Sequence, residues 1–273
     1  MKIGIIGLGL MGGSFAKAIK KYTSHEVFAY DIREDSLGQA IRQKAIDGIL
    51  DLDDLAKMDL TILAMTPTKV LNFVEDNRQL SSYVMDLCGI KRAISPRLCD
   101  LAEENNFTYI GAHPMAGREV GGFENSCEDL YRGRYIIIIK HGDLPKWIIE
   151  MLNDIGLSIQ YSTDDRQDRI IAYTSQLCHI ASNALVKSPT SLDHEGYSAD
   201  SLVDLTRVAT IDEKMWTELF FANKDYLLGE LSNYIIQLNK YQDALVRDDE
   251  EGIRDLLKEG KDIKAKMYPR KSK

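Results

Sequence analysis

Lys2-Ile3-Gly4-Ile5-Ile6-Gly7-Leu8-Gly9-Leu10-Met11-Gly12-Gly13-Ser14-Phe15-Ala16-Lys17-Ala18-Ile19 decides the fold. Lys2 to Ile6 is a short, nearly continuous apolar run, the pattern of a strand buried on both faces. Phe15, Ala16, Ala18 and Ile19 follow at helical spacing. Three glycines stand between strand and helix. Gly7 permits a tight turn, Gly9 keeps side chains away from an approaching phosphate, and Gly12 lets the helix pack closely on the strand. The helix N-terminus adds unpaired N–H groups and a partial positive charge. Gly7, Leu8, Gly9, Leu10, Met11 and Gly12 are therefore assigned to the pyrophosphate of a dinucleotide.

The same alternation continues outward. Glu26 to Asp31, Leu60 to Met65, Tyr83 to Leu87, Tyr109 to Ala112, Tyr135 to Lys140 and Leu157 to Tyr161 read as strands. Strands separated by helical stretches predict an α/β Rossmann-type domain, a parallel sheet with helices on both faces. Asp31 closes the second strand, 19 residues beyond Gly12, where a carboxylate accepts hydrogen bonds from ribose hydroxyls and repels a 2′-phosphate. That favours NAD over NADP, although Arg33 stands close enough to temper the preference. Thr66, at the end of the third strand, is placed on the cofactor side as well. The bland alternatives are a glycine turn with no ligand and a solvated acid at a strand end.

The pattern changes near Ser162-Thr163-Asp164-Asp165. Ile170 to Val186, Met215 to Leu238 and Gly252 to Met267 read as helices, and Lys187 to Asp200 as a loop. An all-α domain over 164–273 is thus expected to follow the α/β domain of 1–163. The basic tail, Tyr268 to Lys273, is expected to fray.

Bulk properties narrow the function. The net charge of -8 argues against nucleic acid and anionic membranes as partners. The longest apolar run, Ile136 to Ile139, is far below the roughly 20 residues that span a bilayer. No signal peptide precedes the glycine turn, so a cytoplasmic protein is expected. Cys88, Cys99, Cys127 and Cys178 form no CxxC pair, so neither a metal site nor a disulfide framework is expected.

Chemistry is expected at three places. In Gly111-Ala112-His113-Pro114-Met115-Ala116-Gly117-Arg118-Glu119 a histidine ends a strand, and the carboxyl ends of such strands face the ligand crevice. There it can hydrogen-bond a reacting hydroxyl and assist loss of its proton. Ser175 and His179 lie four apart on one helical face. Arg207, in Asp204-Leu205-Thr206-Arg207-Val208-Ala209, suits a carboxylate, either a ligand's or that of Asp204.

Taken together the chain resembles the prephenate dehydrogenase family of tyrosine biosynthesis. The resemblance spans GLGLMGGS, DLCGIK at Asp86 to Lys91, HPMAGRE at His113 to Glu119, SQLCH at Ser175 to His179, and DLTRVA followed by Met215-Trp216. It implies a homodimer joined through the helical domains. It also implies oxidation of prephenate by NAD with loss of the ring carboxylate, giving 4-hydroxyphenylpyruvate. His113 would take the proton of the ring hydroxyl, and Arg207 would bind a substrate carboxylate. Ser175, Gln176 and His179 would line the pocket, with Glu119, Asp204 and Trp216 around it. Two positions depart from the family's common pattern: Gly89 stands where many members have a serine, and Gln176 where many have a histidine. The alternatives are arogenate as substrate, a 3-hydroxyacid-type dehydrogenase, and an NAD-binding sensor without turnover. Asn183 follows His179 rather than a lysine, which lowers the second.

Overall fold

The computed structural model describes residues 1–139 and 141–268. The chain forms two compact units, the second beginning at Asp225. In the first unit β1 (Lys2–Ile6), β2 (Glu26–Tyr30), β3 (Gly48–Ile49), β4 (Leu60–Leu63), β5 (Tyr83–Asp86), β6 (Thr108–Pro114), β7 (Arg134–Ile139) and β8 (Leu157–Ser162) make one sheet. Its order is β3-β2-β1-β4-β5-β6-β7-β8. The helices α1 (Leu10–Tyr22), α2 (Glu34–Arg42), α3 (Pro67–Asp76), α4 (Ser95–Asn105) and α5 (Lys146–Asp154) connect the strands.

Alternation along β1 explains the two cores. Ile3 and Ile5 point into one apolar cluster with Phe15, Ile19, Tyr131 and Ile148. Ile6 points into the other, with Leu55, Val70, Val74 and Leu98. Both faces of the strand are therefore dry, as its unbroken apolar run requires.

All seven strands read from the sequence are present, with ends shifted by a residue or two. The last residue of the sixth, Lys140, and the tail beyond Tyr268 lie outside the described residues. Two features were not foreseen. The two-residue β3 is too short to leave a periodic signal. The sheet is parallel from β3 to β6, but β7 runs antiparallel to β6. A parallel neighbour needs a crossover, usually a helix. Residues 115–133 hold only the 3₁₀ turn Phe123–Asn125, so the chain returns along the same edge and reverses.

After the sheet come α6 (Asp164–Ile171), a π-helical segment (Ala172–Leu177), α7 (Cys178–Leu185), α8 (Asp200–Thr206) and α9 (Glu213–Ala222). They belong to the first compact unit. The Thr163 hydroxyl accepts the Arg166 N–H and caps α6, and Asp164 and Asp165 follow in the first turn. Helix therefore starts six residues earlier than apolar spacing suggests, since capping residues carry no apolar stripe. The helix predicted over Met215 to Leu238 breaks at Asn223, whose side-chain amide donates to the Asp168 carbonyl and the Gln176 amide oxygen.

The second unit holds α10 (Lys224–Val246) and α11 (Glu250–Met267). Asp249 accepts the Gly252 N–H at 2.8 Å and caps α11. Leu228, Ile235, Ile236, Leu238, Leu245, Leu257 and Ile263 are exposed along these helices. Among the described residues no helix is long and apolar enough to cross a membrane.

Candidate functional site

Strand order reverses at β1, where β2 leaves to one side and β4 to the other. Ligands of open α/β sheets bind in the crevice at such a switch point, outside the carboxyl ends of the strands. Register aligns Tyr30, Ile6, Leu63, Asp86 and Gly111 across β2, β1, β4, β5 and β6. The residues just beyond them therefore share one edge: Asp31, the Gly7 turn, Thr66, Gly89 and His113. At about 4.8 Å per strand, the glycine turn and His113 lie roughly 14 Å apart along that edge.

The turn is built as its residues demand. Gly7 sits at φ +95°, and a Cβ there would come within 2.7 Å of the Ala64 carbonyl oxygen. A Cβ on Gly12 would stand 1.9 Å from the Gly7 carbonyl oxygen. Gly9 is different: a Cβ there meets nothing within 4 Å, so the space over it is open. Gly9 is the N-cap of α1, with no side-chain cap and no acid in the first turn. The N-terminal donors of Leu10, Met11 and Gly12 are thus left to an anion. Asp31 accepts the Leu8 N–H at 2.6 Å and the Arg33 N–H at 2.8 Å, one on each oxygen. Each oxygen keeps a lone pair for a hydroxyl. Arg33 is exposed, and Thr66 is the N-cap of α3 with its hydroxyl not spent on the helix. One N–H of that helix end, on Thr68, is held at 2.7 Å by the Glu218 carboxylate of α9.

His113 stands over a buried polar network. Lys91 and Asp86 are both fully buried, and the Lys91 ammonium donates to Asp86 at 2.5 Å and to the Ala112 carbonyl at 2.7 Å. Asp86 also accepts from the Tyr109 hydroxyl and the Cys88 N–H, each at 2.7 Å. Asp168 of α6 accepts the N–H groups of Lys91 and Arg92, which fixes the 89–92 loop. Burial pushes its carboxyl up to about 6. The His113 Nδ1 lies 2.7 Å from the Gln167 amide nitrogen. Burial, helped by the Lys91 charge, pushes the imidazole down to about 3, so it is neutral near pH 7.

That shift has a sign. His113 protonates more readily in the unfolded chain, so its contribution to stability is full above about pH 6.5 and is lost as pH falls toward 3. Asp168 acts the other way, contributing below about pH 4 and losing this as pH rises through 6. The variant His113→Asn is expected to lose less stability than the parent between pH 6 and 4. Urea unfolding at stepped pH checks this, and parallel losses would contradict the neutral imidazole.

A second cluster lies on the helical side. Arg207, just past α8, pairs with Glu119 from the loop after β6, not with Asp204. The His179 ring packs on Trp216 with centroids 3.8 Å apart, and Trp216 on Phe220 at 5.4 Å. His179 Nδ1 is bonded to the Ser175 carbonyl at 2.8 Å, which leaves Nε2 unused. Burial pushes the His179 imidazole down, and Arg207 adds to this against the pull of the Ser175 carbonyl and Glu119. Ser175 is partly exposed in the π-helical segment, a distortion found often at functional sites. Arg207, Glu119, His179 and Trp216 are thus brought together. Gln176 points elsewhere: it is buried, donating to the Leu219 carbonyl and accepting from Asn223, each bond within 2.9 Å.

Sequence reasoning missed Gln167 and Asp168. The available signal was Thr163-Asp164-Asp165, which caps a helix whose next turn faces the sheet. Among the described residues no group of three or more His, Cys, Asp or Glu converges as a metal site requires. The cysteines are unpaired, with Cys88 buried and Cys178 exposed.

Two family models match the chain: the prephenate dehydrogenase nucleotide-binding domain over residues 15–160 and the prephenate dehydrogenase dimerization domain over 163–259. The cyclohexadienyl dehydrogenase of Zymomonas mobilis is 26% identical, over 94% of this chain and 92% of its own length. The prephenate dehydrogenase of Lactococcus lactis is also 26% identical, over 97% of this chain and 77% of its own. The crystal structure of the A. aeolicus prephenate dehydrogenase, in complex with hydroxyphenyl propionate and NAD+, superimposes with a TM-score of 0.84 at 26% identity, covering 98% of each chain. The glycine turn precedes the first matched residue, so its assignment stands on its own geometry, while the sheet, the His113 loop and the helices fall within the matches: the chain belongs to the prephenate dehydrogenase family.

Proposed function

We propose that the protein catalyses the oxidative decarboxylation of prephenate to 4-hydroxyphenylpyruvate with NAD as oxidant, in the cytoplasm, on the route to tyrosine. The observation that carries this is a neutral imidazole at the carboxyl edge of the sheet, on the same edge as an open, uncapped helix N-terminus.

NAD supplies the hydride acceptor. Gly9 and the α1 N-terminus would hold its pyrophosphate, and Asp31 its adenosine ribose. The Asp31 carboxylate would repel a 2′-phosphate, which favours NAD. Replacing Gly9 with alanine tests the cradle. The Cβ has room in the fold, so stability should change by less than about 1 kcal/mol. NAD affinity should fall about tenfold or more, near 1.4 kcal/mol. Calorimetric titration that shows unchanged affinity would remove Gly9 from the site.

On the substrate side, His113 would hydrogen-bond the ring hydroxyl. As hydride leaves the hydroxyl-bearing carbon, positive charge grows there, and a neutral ring nitrogen that draws on the hydroxyl proton stabilises it. The C–CO2 bond then breaks, its electrons complete the aromatic ring, and the product is a phenol. The phenol keeps its hydroxyl hydrogen, so any proton His113 takes is returned. Loss of the carboxylate needs no acid, and aromatisation drives it.

Arg207 would bind a substrate carboxylate, taking it in exchange for Glu119. The existing pair is exposed and worth little by itself, so exchange costs little. Arg207→Ala should raise KM for prephenate roughly 10- to 150-fold, equivalent to about 1.5–3 kcal/mol of binding, with a smaller change in kcat. Steady-state kinetics check this, and an unaltered KM would take Arg207 out of the pocket. His179 and Trp216 would form an apolar wall with Ser175 beside it. Gln176, whose amide is already satisfied inside the protein, would serve that wall from behind.

One observation favours arogenate as a second reading. Glu119 is an acid at the carboxylate-binding end, placed to pair with an amino group where prephenate has a keto group. Assays of prephenate and arogenate side by side, each with NAD and NADP, separate the readings. The functional division is proposed at 163/164, with a homodimer formed through 164–273. The apolar side chains exposed on α10 and α11 support this, since a monomer rarely leaves so many in water.

A further inference from the structure

Gln167 is the one hydrogen-bond partner of the His113 ring among the described residues. Its side chain is buried on α6. The amide nitrogen lies 3.1 Å from the Gly89 carbonyl oxygen and 2.7 Å from His113 Nδ1. Beside it, Asp168 binds the N–H groups of Lys91 and Arg92, so consecutive residues of α6 hold both ends of the 89–92 loop. The place of the Gln167 amide is thus fixed from two sides.

The orientation of that amide follows from its partners. A carbonyl can only accept, so the end facing Gly89 must be the NH2 group. An NH2 has two hydrogens, and the second points at Nδ1. Nδ1 must then accept, and a neutral imidazole has one proton, which is left to Nε2. Other charged groups near the ring do not compete. Lys91 is spent on Asp86 and the Ala112 carbonyl, and Asp168 on backbone N–H groups. Gly89 leaves the other side of the ring bare, for a Cβ there would lie 3.3 Å from Cε1 and 3.4 Å from Nε2.

We propose that Gln167 is a positioning residue that sets the tautomer of His113, keeping the proton on Nε2 in the resting protein. This rests on the reading of His113 as partner of the ring hydroxyl and sharpens it. Nε2 is the nitrogen left for substrate, and in the resting tautomer it is a donor. It becomes an acceptor only in the other tautomer, in which Nε2 has given its proton to water, Nδ1 has taken one from water, and the Gln167 amide has turned so that Oε1 accepts from Nδ1 and the Gly89 carbonyl gives up its donor. The glutamine thereby couples the loop after β5 to the state of the imidazole.

The test is nitrogen NMR of the full-length protein labelled with 15N-histidine. The chain has five histidines, and the His113 signals are those missing from His113→Asn. At neutral pH the parent should show a protonated Nε2 and a bare Nδ1. In Gln167→Glu the carboxylate can only accept, so Nδ1 should carry the proton and the ring should titrate at higher pH. The acid limb of kcat/KM should move up with it. A protonated Nδ1 in the parent overturns the proposal, as does a bare Nδ1 in Gln167→Glu. The parent spectrum decides the resting tautomer even if the variant does not fold. Failure of prephenate turnover with the expected spectra would sink the substrate reading and leave the positioning role intact.

Discussion

Replacing His113 with asparagine is expected to lower kcat for prephenate oxidation about 10²- to 10⁴-fold. Asparagine keeps a polar group near the Gln167 amide but cannot draw a proton from the ring hydroxyl. NAD should bind with nearly unchanged affinity, because the glycine turn lies roughly 14 Å away along the sheet edge. The loss should fall on kcat and kcat/KM alike, the mark of an interaction made in the transition state. Stopped-flow and steady-state rates, with calorimetric NAD titration as control, measure both. A variant that turns over within a few-fold of the parent would remove His113 from the chemistry. The folded imidazole stays neutral far below its ordinary range, so the parent's acid limb should not reflect a histidine titrating near 6.5.

Lys91→Met is expected to cost about 3–5 kcal/mol of stability. The Lys91–Asp86 pair is fully buried, and methionine fills much of the lysine's volume without its charge. Asp86 would be left with the Tyr109 hydroxyl and the Cys88 N–H but no cation, and the Ala112 carbonyl would lose its donor. Burial and the neighbouring Asp86 hold the Tyr109 phenol well above its usual range, so it remains a donor and cannot neutralise the carboxylate. Replacing Asp86 as well would not restore stability, because the Tyr109 and Cys88 donors would then be orphaned. Urea unfolding of parent and variant gives the figure. A loss under about 1 kcal/mol would show that the network under His113 does not depend on this ion pair.

Local signals made the fold legible. The run Lys2 to Ile6, the glycines after it and the 3.6-residue spacing of Phe15 to Ile19 each express a rule that acts within a few residues. What escaped depends on contacts far apart in the chain. The reversal of β7 follows from an irregular connection, which has no periodicity to read. The break at Asn223 is made by bonds to Asp168 and Gln176, about 50 residues away. Arg207 declared itself a carboxylate binder by type, spacing left a ligand and Asp204 as equal candidates, and the partner in the structure is Glu119, 88 residues distant. Gln167 matches no motif itself; the only sign of it was the Thr163-Asp164-Asp165 cap that starts its helix.

The candidate pocket residues were named from residue type and position. A histidine after a strand, a serine and histidine on one helix and an isolated arginine are each ambiguous alone. Register puts Asp31, the glycine turn and His113 on one sheet edge, while His179 and Arg207 gather in the second cluster on the helical side. Gly89 puts no side chain over the His113 ring; a Cβ there would stand 3.3 Å from Cε1 and 3.4 Å from Nε2.

The central claim is hydride transfer from prephenate to NAD with loss of carbon dioxide. Purified protein with prephenate and NAD should produce NADH, carbon dioxide and 4-hydroxyphenylpyruvate in equal amounts, with no net proton released by the transfer itself. Absence of NADH with prephenate and with arogenate, under conditions where NAD is bound, would contradict it.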